Sequence, residues 1–193
     1  HMAFGNLDGD STQDFIMSYE MEVCPGNIQL SSLGTPLCNV APGSTNFLNF
    51  TAFTVGNYKR SNIDSQFKLT TGQGRNCQRP ILADFNSDGI DDVYCPSAYG
   101  TQYNGKFYYG GSDVVFISNG KGEWIQTKEK GAMVDKKTGL YGGFSHGVTV
   151  NDIDNDGDLD VITPHIKWEK TKGGGKIYCH INDGKGNFTV KHC

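Results

Sequence analysis

Three short stretches concentrate the residue types able to do metal chemistry. Residues 6–14 read NLDGDSTQD, residues 84–92 read DFNSDGIDD and residues 152–160 read DIDNDGDLD. Each places Asp or Asn at its first, third and fifth positions and Asp at its ninth. Twelve of the chain's 21 acidic residues fall within them. Like charges packed into a turn repel, and water screens that repulsion only in part. Calcium offsets it by taking six to eight oxygens in a tolerant geometry, whereas magnesium demands a tight octahedron and keeps its water. Softer metals find no thiolate or imidazole here. Gly89 and Gly157 stand at the sixth position of the second and third loops, where a sharp turn calls for positive φ. The first loop has Ser11 there, so its site is expected to be the weakest of three.

An EF-hand opens with the same alternation, but it needs a bidentate Glu at position 12 and a helix on each side. The twelfth residues are Met17, Cys95 and Thr163. The second and third loops are preceded by PILA and GVTV and followed by DVYCPS and DVITPH, short β-like runs. The loops therefore belong between strands. Glycine supplies 26 of the 193 residues, which favours many tight turns between short strands. NGKGEW at residues 119–124 matches DGKGNF at residues 183–188, both carrying strong hairpin signals. Pro96 likewise matches Pro164, and Trp124 and Phe188 fall at one equivalent place, which predicts core anchors. Hydrophobic residues make up 36% of the chain, too many for a disordered segment. No apolar run reaches the length of a membrane helix.

These loops and their flanks resemble the FG-GAP/VCBS repeat family, the calcium-loop blades of integrin α-subunit propellers and of many bacterial surface proteins. The resemblance covers all three loops and most of residues 80–193, while residues 25–75 match poorly. It implies an all-β fold, β-propeller-like, of about three four-stranded units, each with a DxDxDGxxD calcium loop between its first two strands. A single domain over residues 3–193 is expected, with units at about 3–75, 76–140 and 141–193; His1 and Met2 read as cloning residue. Carried over residue by residue, Asn6, Asp8, Asp10, Thr12 and Asp14 would hold one Ca2+ ion. Asp84, Asn86, Asp88, Ile90 and Asp92 would hold a second, with Ile90 giving its carbonyl. Asp152, Asp154, Asp156, Asp158 and Asp160 would hold a third, with Asp158 giving its carbonyl. Family propellers usually have about seven blades, so three units imply continuation in a longer chain, self-association, or a compact self-sufficient β-domain.

Six cysteines allow many pairings, and the near neighbours Cys24–Cys38, Cys77–Cys95 and Cys179–Cys193 are the expected ones. Disulfides at this density point to an oxidising compartment, so the chain is expected to be extracellular, secreted or at the cell surface. A glycan or a surface protein is the expected partner, without membrane insertion. Tyr99, Tyr103, Tyr108 and Tyr109 lie among Gly, Asn and Gln at residues 99–111, a composition suited to sugar faces. Lys167 and Trp168 lie in an equivalent Lys/Gly-rich stretch at residues 165–176. Outside the acidic loops nine acids face 17 Lys and Arg, a positive surplus that leaves room for an anionic glycan. The acidic total disfavours nucleic acid. No nucleophile elbow, Ser/His/Asp spacing or phosphate loop is present, and the carboxylates that could do acid–base work are better explained as calcium ligands. The expected function is non-enzymatic: a calcium-binding adhesion module for a glycan. The alternatives are an integrin-like protein-adhesion module, a passive part of a larger surface protein, or part of a polysaccharide-active enzyme such as a lyase.

Overall fold

A computed structural model describes residues 1–18, 28–30, 36–38, 50–56, 59–68, 77, 79–96, 100–103, 106–109, 113–127, 130–131, 145, 147–165 and 176–193. Three sheets, each built on an antiparallel meander and the first two with an inserted hairpin, take up most of these residues. The first contains β1 (Met2–Gly5) and β2 (Asp14–Ser18). A separate hairpin of β3 (Ile28–Leu30) and β4 (Pro36–Cys38) follows, before β5 (Phe50–Gly56) and β6 (Lys59–Asn62) complete the order β1-β2-β5-β6. After a 3-10 turn at Asp64–Gln66 the chain makes β7 (Phe67–Lys68), which joins the next sheet, in parallel with its outermost strand.

The second sheet holds β8 (Ile81–Ala83) and β9 (Asp92–Cys95), then the hairpin β10 (Gly100–Tyr103) and β11 (Lys106–Tyr109), then β12 (Val114–Ser118) and β13 (Trp124–Thr127). Its order is β7-β13-β12-β9-β8. The pattern then repeats. β14 (Lys130–Gly131) crosses to the third sheet and pairs in parallel with its last strand. That sheet runs β14-β18-β17-β16-β15, with β15 (Thr149–Asn151), β16 (Asp160–His165), β17 (Lys176–Asn182) and β18 (Phe188–His192). The sheets thus have four, five and five strands, all three are open, and each of the last two takes its extra strand from the preceding unit.

The sheets stack face to face, and the middle one is buried on both sides. Successive side chains of a strand point to opposite faces. Val93, Cys95, Val114, Phe116 and Trp124 accordingly pack with Leu7, Ile16, Phe50 and Ala52 of the first sheet. Tyr94, Val115 and Ile117, with Phe85, pack on Val161 and Phe188 of the third. This is why β12 reads as the unbroken apolar run VVFI instead of alternating. Phe50, Phe67 and Phe116 meet edge to face between the first two sheets, and Phe67 stacks on Trp124 at 5.0 Å between ring centres. Phe85 meets Phe188 across the other interface at 5.3 Å. Trp124 and Phe188 are both fully buried, as core anchors should be. A polar cluster crosses that second interface. The Tyr94 hydroxyl donates to Asp113 and lies 3.1 Å from Nδ1 of His180, whose Nε2 lies 2.7 Å from the Thr163 hydroxyl.

Two disulfides are present among the described residues, Cys77–Cys95 and Cys179–Cys193, both as expected. Cys24 lies outside the described residues, so its pairing with Cys38 does too. No helix among the described residues is long and apolar enough to cross a membrane.

Candidate metal centre

The three acidic loops occupy one place in the fold: loop 6–14 joins β1 to β2, loop 84–92 joins β8 to β9, and loop 152–160 joins β15 to β16. In a meander the turn between the third and fourth strands falls at the same end. Gly120 lies beside Asp88, and Gly184 lies close against the Asp158 carboxylate. Both glycines have positive φ, at 67° and 69°, within five-residue turns closed by Asn119 and Asp183. All three acidic loops and these two turns therefore share one end of the stack.

The second and third loops share one set of hydrogen bonds. The first carboxylate accepts the backbone N–H groups of the fifth and sixth residues: Asp84 from Asp88 and Gly89, Asp152 from Asp156 and Gly157. The fifth carboxylate accepts the N–H of the seventh, Asp88 from Ile90 and Asp156 from Asp158. The fourth residue is left-handed in both, with Ser87 at φ 58° and Asn155 at φ 61°, and the sixth-position glycines stand at 86° and 96°. The first loop keeps the left-handed fourth residue and the bond from the seventh N–H, Thr12, to the fifth carboxylate, Asp10, but differs at its first and sixth positions. Its fourth residue is Gly9 at φ 81°, whose N–H donates to Asn6, and Ser11 is not left-handed. The Ser11 departure noted in the sequence thus corresponds to a different backbone path.

The ninth residue does structural work that its spacing alone did not reveal. Asp14, Asp92 and Asp160 have no exposed surface. In each, Oδ2 accepts the N–H of the loop's second residue: Leu7 at 2.6 Å, Phe85 at 2.8 Å and Ile153 at 2.8 Å. Oδ1 accepts an N–H from the third strand of the sheet or its end: Val55 at 2.7 Å, Ser118 at 2.6 Å and Asn182 at 2.8 Å. Each oxygen keeps a second lone pair. Sequence reasoning missed these third-strand partners, although Ser118 and Asn182 hold matching places just before the two glycine turns. It also missed Asp91. The N–H of Asn6 donates to Asp91 Oδ2 at 2.7 Å while the N–H of Asp91 donates to the Asn6 carbonyl, tying the first loop to the second. Asn182 ties the second loop to the third by donating to the carbonyls of Phe85 and Leu159.

Burial sets the electrostatics. Loss of water pushes the Asp92 carboxyl up to about 7, against the pull of the Ser118 and Phe85 N–H groups and with help from Asp88 and Asp84. Asp14 and Asp91 are raised by the same cause. Asp154 and Asp158 are also raised, first by lost hydration and next by the charge of Asp156.

The donor set fits a hard cation best in the third loop. Asp152, Asp154 and Asp156 each offer a carboxylate oxygen, all within 4.8 Å of one another. Oxygens sharing one calcium at about 2.4 Å can stand no more than about 4.8 Å apart. In the second loop Asn86 stands where the third has Asp154, and its amide donates to Asp88 and to the Ser118 carbonyl. Of the residues expected to contact a ligand, Tyr103, Tyr108 and Tyr109 fall on the β10–β11 hairpin, where Tyr103 pairs with Lys106 and Thr101 with Tyr108. Tyr99, Lys167 and Trp168 lie outside the described residues. The chain matches no protein-family model and no curated protein.

Proposed function

We propose that this chain is an extracellular calcium-binding recognition module whose sheets are propeller-like blades and whose insertions bind a glycan. The observation that carries the reading is the repetition of one loop design. Three acidic loops sit at the same connection of three stacked sheets, and each ends in a buried carboxylate latched to the third strand. Side chains at positions one, three, five and nine, with the carbonyl at seven, would hold each ion. Bound calcium would neutralise the crowded carboxylates and fix the end of the stack. At extracellular calcium, sites of about 0.1–1 mM affinity suffice.

Recognition falls to the opposite end. The connection between second and third strands carries the β3–β4 hairpin in the first unit and the Tyr-containing β10–β11 hairpin in the second, and β4 lies against β10. Neighbouring units thus bring their insertions together, away from the acidic loops. Tyrosines there would offer sugars a broad apolar face with a hydrogen-bonding tip. The two disulfides support an oxidising compartment. A glycan array probed in millimolar calcium, and again in excess chelator, tests the reading. Calcium-dependent binding to a related set of sugars is expected. A blank array with folded, calcium-loaded protein would overturn the glycan assignment and favour a polypeptide partner.

A further inference from the structure

The first sheet has one face buried on the second sheet and another that none of the described residues covers. Phe4, Phe15 and Phe53 are neighbours across β1, β2 and β5, with ring centres 6.3 and 5.0 Å apart. The Arg60 guanidinium lies 4.6 Å from the centre of the Phe53 ring. Phe4 is 57% exposed and Met17 beside it is 41% exposed. A stripe of aromatics across three strands is costly to leave in water.

The repeat itself shows what such a face receives. Counted from the acidic loops, Phe15 and Met17 hold the places of Val93 and Cys95 in the second unit and of Val161 and Thr163 in the third. Those four residues are buried at 0–1% exposure, and Val93, Cys95 and Val161 pack on the sheet before their own. Phe4 likewise holds the place of Leu82 and Val150, both packed into those interfaces. The complementary face is the one that Ile16, and then Tyr94 and Ile117, present to the following sheet. Its counterpart in the third unit is Ile162 and Ile181, both partly exposed, beside Ile177 at 56% exposure. The described residues therefore leave one partly exposed face of each kind, at opposite ends of the stack.

We propose that the Phe4–Phe15–Phe53 face of one copy receives the Ile162–Ile177–Ile181 face of a second copy, head to tail, and that two such contacts close the pair into a ring. This rests on the propeller reading. Propellers close with about four to eight blades. Two chains of three sheets supply six, one chain falls short, and three chains overshoot. A head-to-tail contact that closes gives a finite ring, and one that does not gives a filament.

Sedimentation equilibrium in calcium, across micromolar to submillimolar protein, should return twice the chain mass of 21.1 kDa. Phe4→Asp and Ile177→Asp alter exposed positions, and each alone should restore the monomer. Mixed one to one, they should recover a heterodimer, because one sound front then meets one sound back. Far-UV and near-UV circular dichroism of each variant checks that it is folded. A wild-type monomer throughout the range would overturn the proposal. So would open-ended polymers, or a dimer that Phe4→Asp abolishes and Ile177→Asp leaves intact. Calcium titration of the same samples keeps the two readings apart. A monomer that takes up calcium refutes only the pairing, and a dimer that takes up none refutes only the calcium assignment.

Discussion

Asp92 holds a carboxylate at zero exposure between two backbone N–H groups, and it titrates far above an ordinary Asp. In metal-free protein the folded state keeps this proton up to about pH 7, while the unfolded chain releases it near 3.8, as an ordinary Asp does. Between those values the folded state binds more protons, so stability falls as pH rises through that window. Asp14, Asp91, Asp154 and Asp158 shift in the same direction. Thermal melts in chelator should therefore show a lower Tm at about pH 8 than at about pH 5. Saturating calcium should flatten or reverse that slope, because the ion takes over from the proton. The latch and the ligands also separate by mutation. At mildly alkaline pH, Asp92→Asn sets an amide N–H2 against a backbone donor and should cost about 1–3 kcal/mol even in chelator, and more in calcium, where a ligand is weakened as well. Asp88→Ala, in contrast, should lower the Tm only when calcium is present.

At the scale of strands, the loops were legible because their chemistry is local: nine residues supply the acids and the turn. Hairpins were legible for the same reason, since Asn119 and Asp183 close their own glycine turns. The sheet pairings of β7 and β14 were not. Two-residue strands joining in parallel to a sheet further along the chain leave no periodic trace. The third-strand N–H groups that reach the latches lie 22 to 41 residues from their acceptors, and backbone donors carry no side-chain signature. The burial of the middle sheet on both faces, in contrast, is written in its unbroken apolar runs. The Cys179–Cys193 bridge closes β17 onto the chain end after β18 across 14 residues. Removing it with Cys179→Ser and Cys193→Ser together should cost about 3 kcal/mol in equilibrium denaturation.

Across the whole molecule, the proposed function gives the two ends of the stack different work. One end carries every acidic loop and both glycine turns, cross-tied by Asn6–Asp91 and by Asn182. The other carries the β3–β4 and β10–β11 hairpins, and surface connections of this kind are where binding residues concentrate. Order at the acidic end would hold the sheets in register and so position the hairpins beyond them. In the sequence, Phe4, Phe15 and Met17 look like any buried strand residues, and only the order of the stack shows that none of the described sheets covers them. The most direct test of the account is calorimetric titration of calcium into chelator-treated protein, compared with Asp156→Ala. Three ions per chain are predicted, the last to bind at the first loop, and Asp156→Ala should lose one ion. At tenfold excess over the dissociation constant that loss amounts to about 1.4 kcal/mol, a Tm lower by roughly 4 °C. Wild-type protein that takes up no calcium, or Asp156→Ala with unchanged stoichiometry and Tm, would contradict the account.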